Sequence, residues 1–324
     1  MTLLELLHLE TSAPLSSIER VVQTAPRRYK VYTIPKRHHR GRRTIAHPAR
    51  ELKVLQRIIL RQILDKLPVS NIAMAYISDR GILKNAQAHL GERWLLKLDF
   101  EDFFHSIKPA DWDRAVRTIE PLAEWKADRT TFHKILFWGK GGREPTCLSI
   151  GAPTSPSISN LVCSNLDLWM QNEAADRGLA VTRYADDITV SGNNLPTLRK
   201  FERDLGAALA RNKGLRLSLN EKKRGIYGPG EKKLVTGLVL TPDGSISIGR
   251  ERKRETHALV HSFRIGSADV AQKMRAKGML AFAAMAEPSF LARLREKYGE
   301  QTVKSIMDFE VEADALVELN EGHA

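Results

Sequence analysis

The chain has little cysteine, no long apolar run and no stretch of biased composition, and each absence removes a class of protein. Two cysteines in 324 residues, Cys147 and Cys163, cannot build a disulfide framework, and there is no CxxC pair or Cys/His cluster for zinc. Both read as buried, small apolar side chains in a reducing cytosol. No segment approaches the ~18 apolar residues of a membrane-spanning helix. The first ten residues, MTLLELLHLE, put no basic stretch ahead of their leucines, so a signal peptide is not expected. The expected location is the cytoplasm, with no membrane partner. Internal repeats and low-complexity linkers are missing too, and 42% apolar with 27% charged residues excludes global disorder. The length suggests two packed domains, or one large domain with lobes.

What is abundant is positive charge. There are 51 Lys and Arg against 38 Asp and Glu, a formal charge of +13. Six of those acids (Asp308, Glu310, Glu312, Asp314, Glu318 and Glu321) fall within the last twenty residues, which hold no Lys or Arg. The first 304 residues therefore carry +19. Such an excess favours a polyanionic partner, because Lys and Arg release the counterions of fixed phosphates.

Pattern changes mark the elements. Leu3 to Leu9 and Pro14 to Thr24 read as short helices, and Tyr29 to Ile34 as a strand that Arg43 to Ile45 can pair with across a basic tip. From Arg20 through Arg50, both included, stand ten Lys or Arg and no acid, which suits a hairpin that grips phosphate. Leu52, Leu55, Ile59, Ile63 and Leu67 share one face of a helix over 51–67 that Pro68 ends. Ile82 to Leu90 is a shorter helix closed by Gly91. Arg93 to Leu98 is an apolar strand leading into Asp99. Helix is expected from Pro109 to about Trp138 with a break near Pro121, and again from Pro156 to Arg177. Short strands Leu179–Arg183 and Ile188–Ser191 flank Tyr184-Ala185-Asp186-Asp187. A helix from Leu195 to Asn212, short strands over 215–248 and a helical remainder broken at Gly266, Pro288 and Gly299 complete the chain. Few strands scattered among many helices make the class α+β.

The chemistry starts at Asp186 and Asp187. Adjacent carboxylates repel unless a cation lies between them, and here they project from a turn between two buried strands. Asp99 ends another strand in the same way. Three carboxylates at strand ends suit two Mg²⁺ ions, which take a few hard oxygen ligands and fill their other positions with water and substrate phosphate. Two such metals stabilise the attacking and leaving oxygens of an in-line phosphoryl displacement. A basic surface around that acidic centre is what a polymerase requires.

The segments Thr182 to Asp187 (TRYADD), Leu96 to Phe104 (LKLDFEDFF) and Gly151 to Pro156 (GAPTSP) resemble the palm motifs of reverse transcriptases, in the same order, over roughly residues 28–250. Asn85-Ala86-Gln87-Ala88-His89 is similar to the NAxxH signature of bacterial retron reverse transcriptases, and Val235-Thr236-Gly237 to their VTG signature. The resemblance implies a right-hand polymerase. Residues 1–27 would be N-terminal helices, 28–92 the first part of the fingers and 93–108 the first part of the palm. Residues 109–150 would be a helical segment of fingers and palm, 151–248 the palm, and 249–324 a helical thumb with an acidic tail. It also implies roles. Asp99, Asp186 and Asp187 would hold two Mg²⁺, and Lys223 would protonate the leaving pyrophosphate, with Lys222 an alternative. Lys36 and Arg43 would touch the triphosphate of the incoming dNTP. Phe104 would be the steric gate that rejects a 2′-OH, and Gly151 would lie by the nucleotide. Asn85 and His89, four apart on one helical face, could hydrogen-bond RNA or each other. Val235, Thr236 and Gly237 would join them in RNA contact, and Lys253, Arg254, Lys273, Arg275 and Lys277 would follow a duplex backbone. The family often has Gln where this chain has Ile150, so that contact to the nucleotide sugar is not carried over.

The activity implied is RNA-directed DNA synthesis on the enzyme's own structured noncoding RNA. Priming from a guanosine 2′-OH would give RNA-linked single-stranded DNA (msDNA), in anti-phage defence with a separate effector protein. No RNase H-like stretch is evident, so another enzyme would remove the template. Rival readings are a group II intron-like or CRISPR-associated reverse transcriptase, against which the missing maturase-like or Cas-like extension argues, and a noncatalytic RNA-binding scaffold, disfavoured by the intact carboxylates. The apolar face of the tail (Val303, Ile306, Met307, Ala313, Leu316, Val317) is expected to pack on the thumb or dock a partner.

Overall fold

A computed structural model of the chain describes residues 1–35, 41–211 and 214–310. Lys36 and the expected course of the tail beyond residue 310 lie outside them. Along the chain run α1 (Leu3–Thr11), α2 (Leu15–Thr24), β1 (Tyr29–Pro35), β2 (Arg42–Pro48), α3 (Arg50–Gln62), α4 (Ile82–Gln87), β3 (Trp94–Asp99), α5 (Phe103–Ser106), α6 (Pro109–Thr118), α7 (Arg129–Leu136), α8 (Ser155–Val162), α9 (Ser164–Ala175), β4 (Ala180–Tyr184), β5 (Asp187–Gly192) and α10 (Leu195–Arg211). Then follow β6 (Gly225–Tyr227), β7 (Lys233–Val235), β8 (Leu238–Leu240), β9 (Ile246–Ser247), α11 (Arg250–Arg264), α12 (Val270–Ala286), α13 (Pro288–Tyr298) and α14 (Glu300–Met307). The elements fall into two compact units, residues 1–81 with 92–229, and residues 82–91 with 230 onward.

In the first unit an antiparallel sheet of order β4-β5-β3-β6 carries the chemistry. Alternation explains its position. Leu96 and Leu98 of β3, and Ile188 and Val190 of β5, are buried in one core with Leu198, Phe201 and Leu205 of α10. Each such side chain is worth roughly 1.5–3 kcal/mol when taken from water. Separately, β1 and β2 form a two-stranded hairpin from Tyr29 opposite Pro48 to Pro35 opposite Arg42. β2 extends further than the strand read from Arg43 to Ile45.

In the second unit α4 packs on the antiparallel sheet β7-β8-β9. Helices α11 to α14 bury Val260, Ala276, Leu280, Leu294, Val303 and Ile306. The capping box of α12, with Asp269 and Gln272 each bonding the other's backbone N–H, sets its start.

Three helices depart from the sequence pattern. α3 stops at Gln62 and a short 3-10 turn, Leu64–Lys66, replaces its last stretch, since Leu67 must be extended ahead of Pro68. α4 ends at Gln87 and reaches Gly91 through turns. The helix expected over 156–177 is two, α8 and α9, interrupted at Cys163. Asn160 and Asp167, seven residues apart and so on one face across the interruption, share one buried partner, as follows.

Candidate active site

Strand register brings the carboxylates together. Asp99, last in β3, lies opposite Asp187, first in β5. The Phe100 N–H donates to the Asp186 carbonyl at 3.0 Å, so the turn is stitched to the end of β3. Ala185 adopts φ +57, a left-handed conformation in a residue with a Cβ. Such a turn must be held. Arg183, fully buried, donates from Nε and Nη2 to the two carboxylate oxygens of buried Asp167, each at 2.7 Å. Its Nη1 donates to the Ala185 carbonyl at 3.1 Å and to Asn160 Oδ1 at 3.2 Å. The sequence reading passed over all three residues. The available signal was an arginine inside a short β-rich strand, beside helices with an Asn and an Asp on their inner faces.

The electrostatics are those of crowded carboxylates. Burial, then the charge of Asp99, pushes Asp186 above the ordinary carboxylate range. Burial and then Asp186 push Asp187 up to about 6. Lys223 counters this: its Nζ lies 2.6 Å from Asp99 Oδ2, while Asp99 Oδ1 is buried without a donor. The structure thus brings Lys223 to Asp99; Lys222 meets Asn220 through its backbone N–H. Hard oxygens and an orphaned acceptor fit a divalent ion. Among the described residues no three His, Cys, Asp or Glu side chains yet lie close enough to enclose one.

The nucleotide candidates lie around this turn. Arg43 is exposed, and its charge acts on Asp186. Gly151 has φ +122, and a Cβ there would come within 3.1 Å of the Ala46 carbonyl, so the loop passes hard against β2. Phe104 is partly buried, edge-on to Phe103 at 5.4 Å. The cysteines are buried thiols, as expected, and burial pushes Cys163 up to about 12.

In the second unit Asn85 and His89 are each 1% exposed and Val235 is fully buried, which favours the internal interface over RNA contact for these side chains. Asn85 Nδ2 donates to Thr236 Oγ1 at 3.3 Å, and that hydroxyl donates to the Ile82 carbonyl at 3.2 Å. NAxxH and VTG therefore clasp each other. Thr236 and Gly237 are both left-handed, at φ +44 and +85, and Arg252 donates to the Gly237 carbonyl. The expected duplex-following cations are also mostly engaged. Lys253 bonds Glu287 at 2.6 Å, Arg275 pairs with Glu255, Lys277 donates to the Phe309 carbonyl at 2.8 Å and Lys273 sits over the Phe309 ring. Arg254 is exposed. Glu287, another residue the sequence did not mark, also accepts from Ser247 Oγ and the Ile248 N–H, tying sheet to helices.

Comparison with known proteins gives the family. The family described as reverse transcriptase (RNA-dependent DNA polymerase) matches residues 34–239. The retron Ec83 reverse transcriptase of Escherichia coli is 36% identical over 288 residues, covering 87% of this chain and 90% of that protein. The retron Ec86 enzyme of the same species is 34% identical, covering 90% and 88%. The retron Mx162 enzyme of Myxococcus xanthus is 33% identical, covering 86% and 63%. Among solved structures, a telomerase from Candida albicans in complex with a TWJ fragment of telomeric RNA has a TM-score of 0.49 at 11% identity, covering 85% of this chain and 56% of that one. No helix among the described residues is long and apolar enough to cross a membrane. With its family match spanning the carboxylate-bearing sheet and its relatives aligned over most of their length, the chain belongs to the reverse transcriptases, the RNA-directed DNA polymerases, and within them to the retron type.

Proposed function

We propose that this enzyme copies its own structured noncoding RNA into RNA-linked single-stranded DNA (msDNA), beginning from a guanosine 2′-OH of that RNA, and serves anti-phage defence with a separate effector protein. The retron relatives support the product and the setting. The observation that carries the chemistry is the register of Asp99 opposite Asp187, with Asp186 beside it and Lys223 on Asp99.

Reverse transcriptases depend on divalent metal. In the proposed assignment Asp99, Asp186 and Asp187 hold two Mg²⁺, which when bound would stabilise charge on the attacking and departing oxygens. The rest belongs to the chain. The Arg183 network fixes the turn, so the carboxylates need no rearrangement of backbone before reaction. Arg43, with Lys36, receives the triphosphate through charge-assisted hydrogen bonds. Lys223 holds the proton that the leaving pyrophosphate takes up. Phe104 sets its ring where a 2′-OH would clash, and Gly151 lets the backbone approach the nucleotide. The division into fingers, palm and thumb follows the family pattern. On the thumb, Arg254 would meet phosphate directly, and Lys253, Lys273, Arg275 and Lys277 after exchanging internal partners for RNA. Thr236 and Gly237 would hold the shape of the nearby surface.

Purified protein with its RNA, dNTPs and Mg²⁺ should make DNA. Asp186→Asn with Asp187→Asn should abolish synthesis and leave RNA affinity within about twofold. Undiminished synthesis by that double variant would overturn the site assignment.

A further inference from the structure

Residues 70–80 form a loop fastened to the back of the catalytic turn. The Arg183 N–H donates to the Ile72 carbonyl at 2.7 Å, and the Met74 N–H to the Arg183 carbonyl at 2.8 Å. Asn160 Nδ2 donates to the Ala75 carbonyl at 3.0 Å. Arg80 Nη1 closes the loop on the Ser70 and Ala73 carbonyls, at 2.5 and 2.6 Å. From this tightly bonded frame one large side chain is turned outward. Tyr76 has φ +66, unfavourable for any residue with a Cβ, and is half exposed. An exposed aromatic on a strained backbone, in a loop whose Ser70, Ile72, Ala73 and Ala75 carbonyls are bonded, is a presented side chain rather than a packed one.

Its surroundings say to what it is presented. The same Asn160 that holds Ala75 accepts from Arg183, which holds Ala185 in the catalytic turn. Tyr76 and the carboxylates are thus fixed to one buried hub. The phenol's pKa is raised, first by the protein around it and then by the Asp186 charge, and Arg43 opposes the rise. Through that hub the ring is tied to the turn that carries the proposed metal ligands.

We propose that Tyr76 is an aromatic platform on which a nucleobase of the substrate, in the template or in the incoming dNTP, stacks at the active site. Every base has a π face, so one ring serves all four without selecting among them. The proposal rests on the polymerase reading, and its test uses binding alone, so that either can fail without the other.

The full chain, with Mg²⁺, is given an RNA template annealed to a DNA primer with a dideoxy end, and the next complementary dNTP. Dissociation constants are measured for the template–primer and for the dNTP. Tyr76→Ala and Tyr76→Gly should each weaken one of these by about five- to a hundredfold, and Tyr76→Phe should stay within about twofold of the parent. Weakening confined to the dNTP identifies the incoming base; weakening confined to the template–primer identifies the template base. Glycine accepts φ +66 without strain, so Tyr76→Gly separates loss of the ring from loss of the loop. Parental binding of both ligands by Tyr76→Gly would overturn the proposal. So would a Tyr76→Phe variant as weak as Tyr76→Ala, since the hydroxyl rather than the ring would then be at work.

Discussion

At the scale of single residues, Asp187 is held where its own charge is unwelcome. Burial and Asp186 disfavour its ionised form, and Lys223 lies on Asp99 instead. Function here opposes stability. Asp187→Asn should therefore raise the melting temperature in EDTA, and the rise in melting temperature that Mg²⁺ gives the parent should vanish; thermal unfolding with and without the ion checks both. The three aspartates were legible in the sequence because Asp99 ends an apolar strand while Asp186 and Asp187 stand at the turn that opens another, a pattern that places all three at a sheet margin without any alignment. Lys223 was legible only through family resemblance, since nothing local separates it from Lys222. Tyr76 and Arg183 were not legible: the meaning of one lies in a backbone angle, and that of the other in side-chain partners 16 and 23 residues away.

At the scale of elements, the inner face shared by α8 and α9 is informative. Asn160 and Asp167, seven residues apart and so on one helical face, meet the same guanidinium. The Arg183–Asp167 bridge is fully buried on both sides. Removing one partner strands a charge, so Asp167→Asn should destabilise the first unit by about 3–5 kcal/mol, read from the midpoint of urea unfolding. The strands and most helices could be read from periodicity of two or 3.6. The cations of α11 and α12 could not be sorted, because exposure and pairing depend on Glu255, Glu287 and Phe309, which periodicity does not reveal. For NAxxH the sequence left RNA contact and an internal interface open for a related reason: a polar pair looks alike on an inner and an outer face. Its burial has a pH consequence. Burial lowers His89 to about 3, while the unfolded chain takes up a proton below about 6.5. The stability that a neutral His89 contributes is full above 6.5 and is lost as pH falls toward 3, at up to about 1.4 kcal/mol per unit. Hydrogen exchange over 82–91 and 230–240 should show protection fading in that window, and His89→Leu should flatten it.

At the scale of the whole molecule, the charge excess was plain from composition, although its value for binding is not. Several basic heads are already matched internally, so fewer phosphates will be neutralised than the Lys and Arg count implies. RNA affinity should still fall steeply between 50 and 200 mM salt; a flat response in filter binding would exclude a basic binding surface. The fold class was readable because strands are few and scattered. The division into units was not, because residues 82–91 leave their sequence neighbours to join a sheet formed much later in the chain.

That excursion has a consequence for synthesis on the ribosome. Asn85 and Thr236 are 151 residues apart, so at about 5–20 residues per second the earlier segment emerges some 8–30 s before its mate. During that interval a nascent chain displays Asn85, Ala86 and His89 uncovered, with the flanking residues already able to fold around a gap. Translation speed and chaperone access, rather than the strength of the finished clasp, would then govern how much of this polypeptide matures.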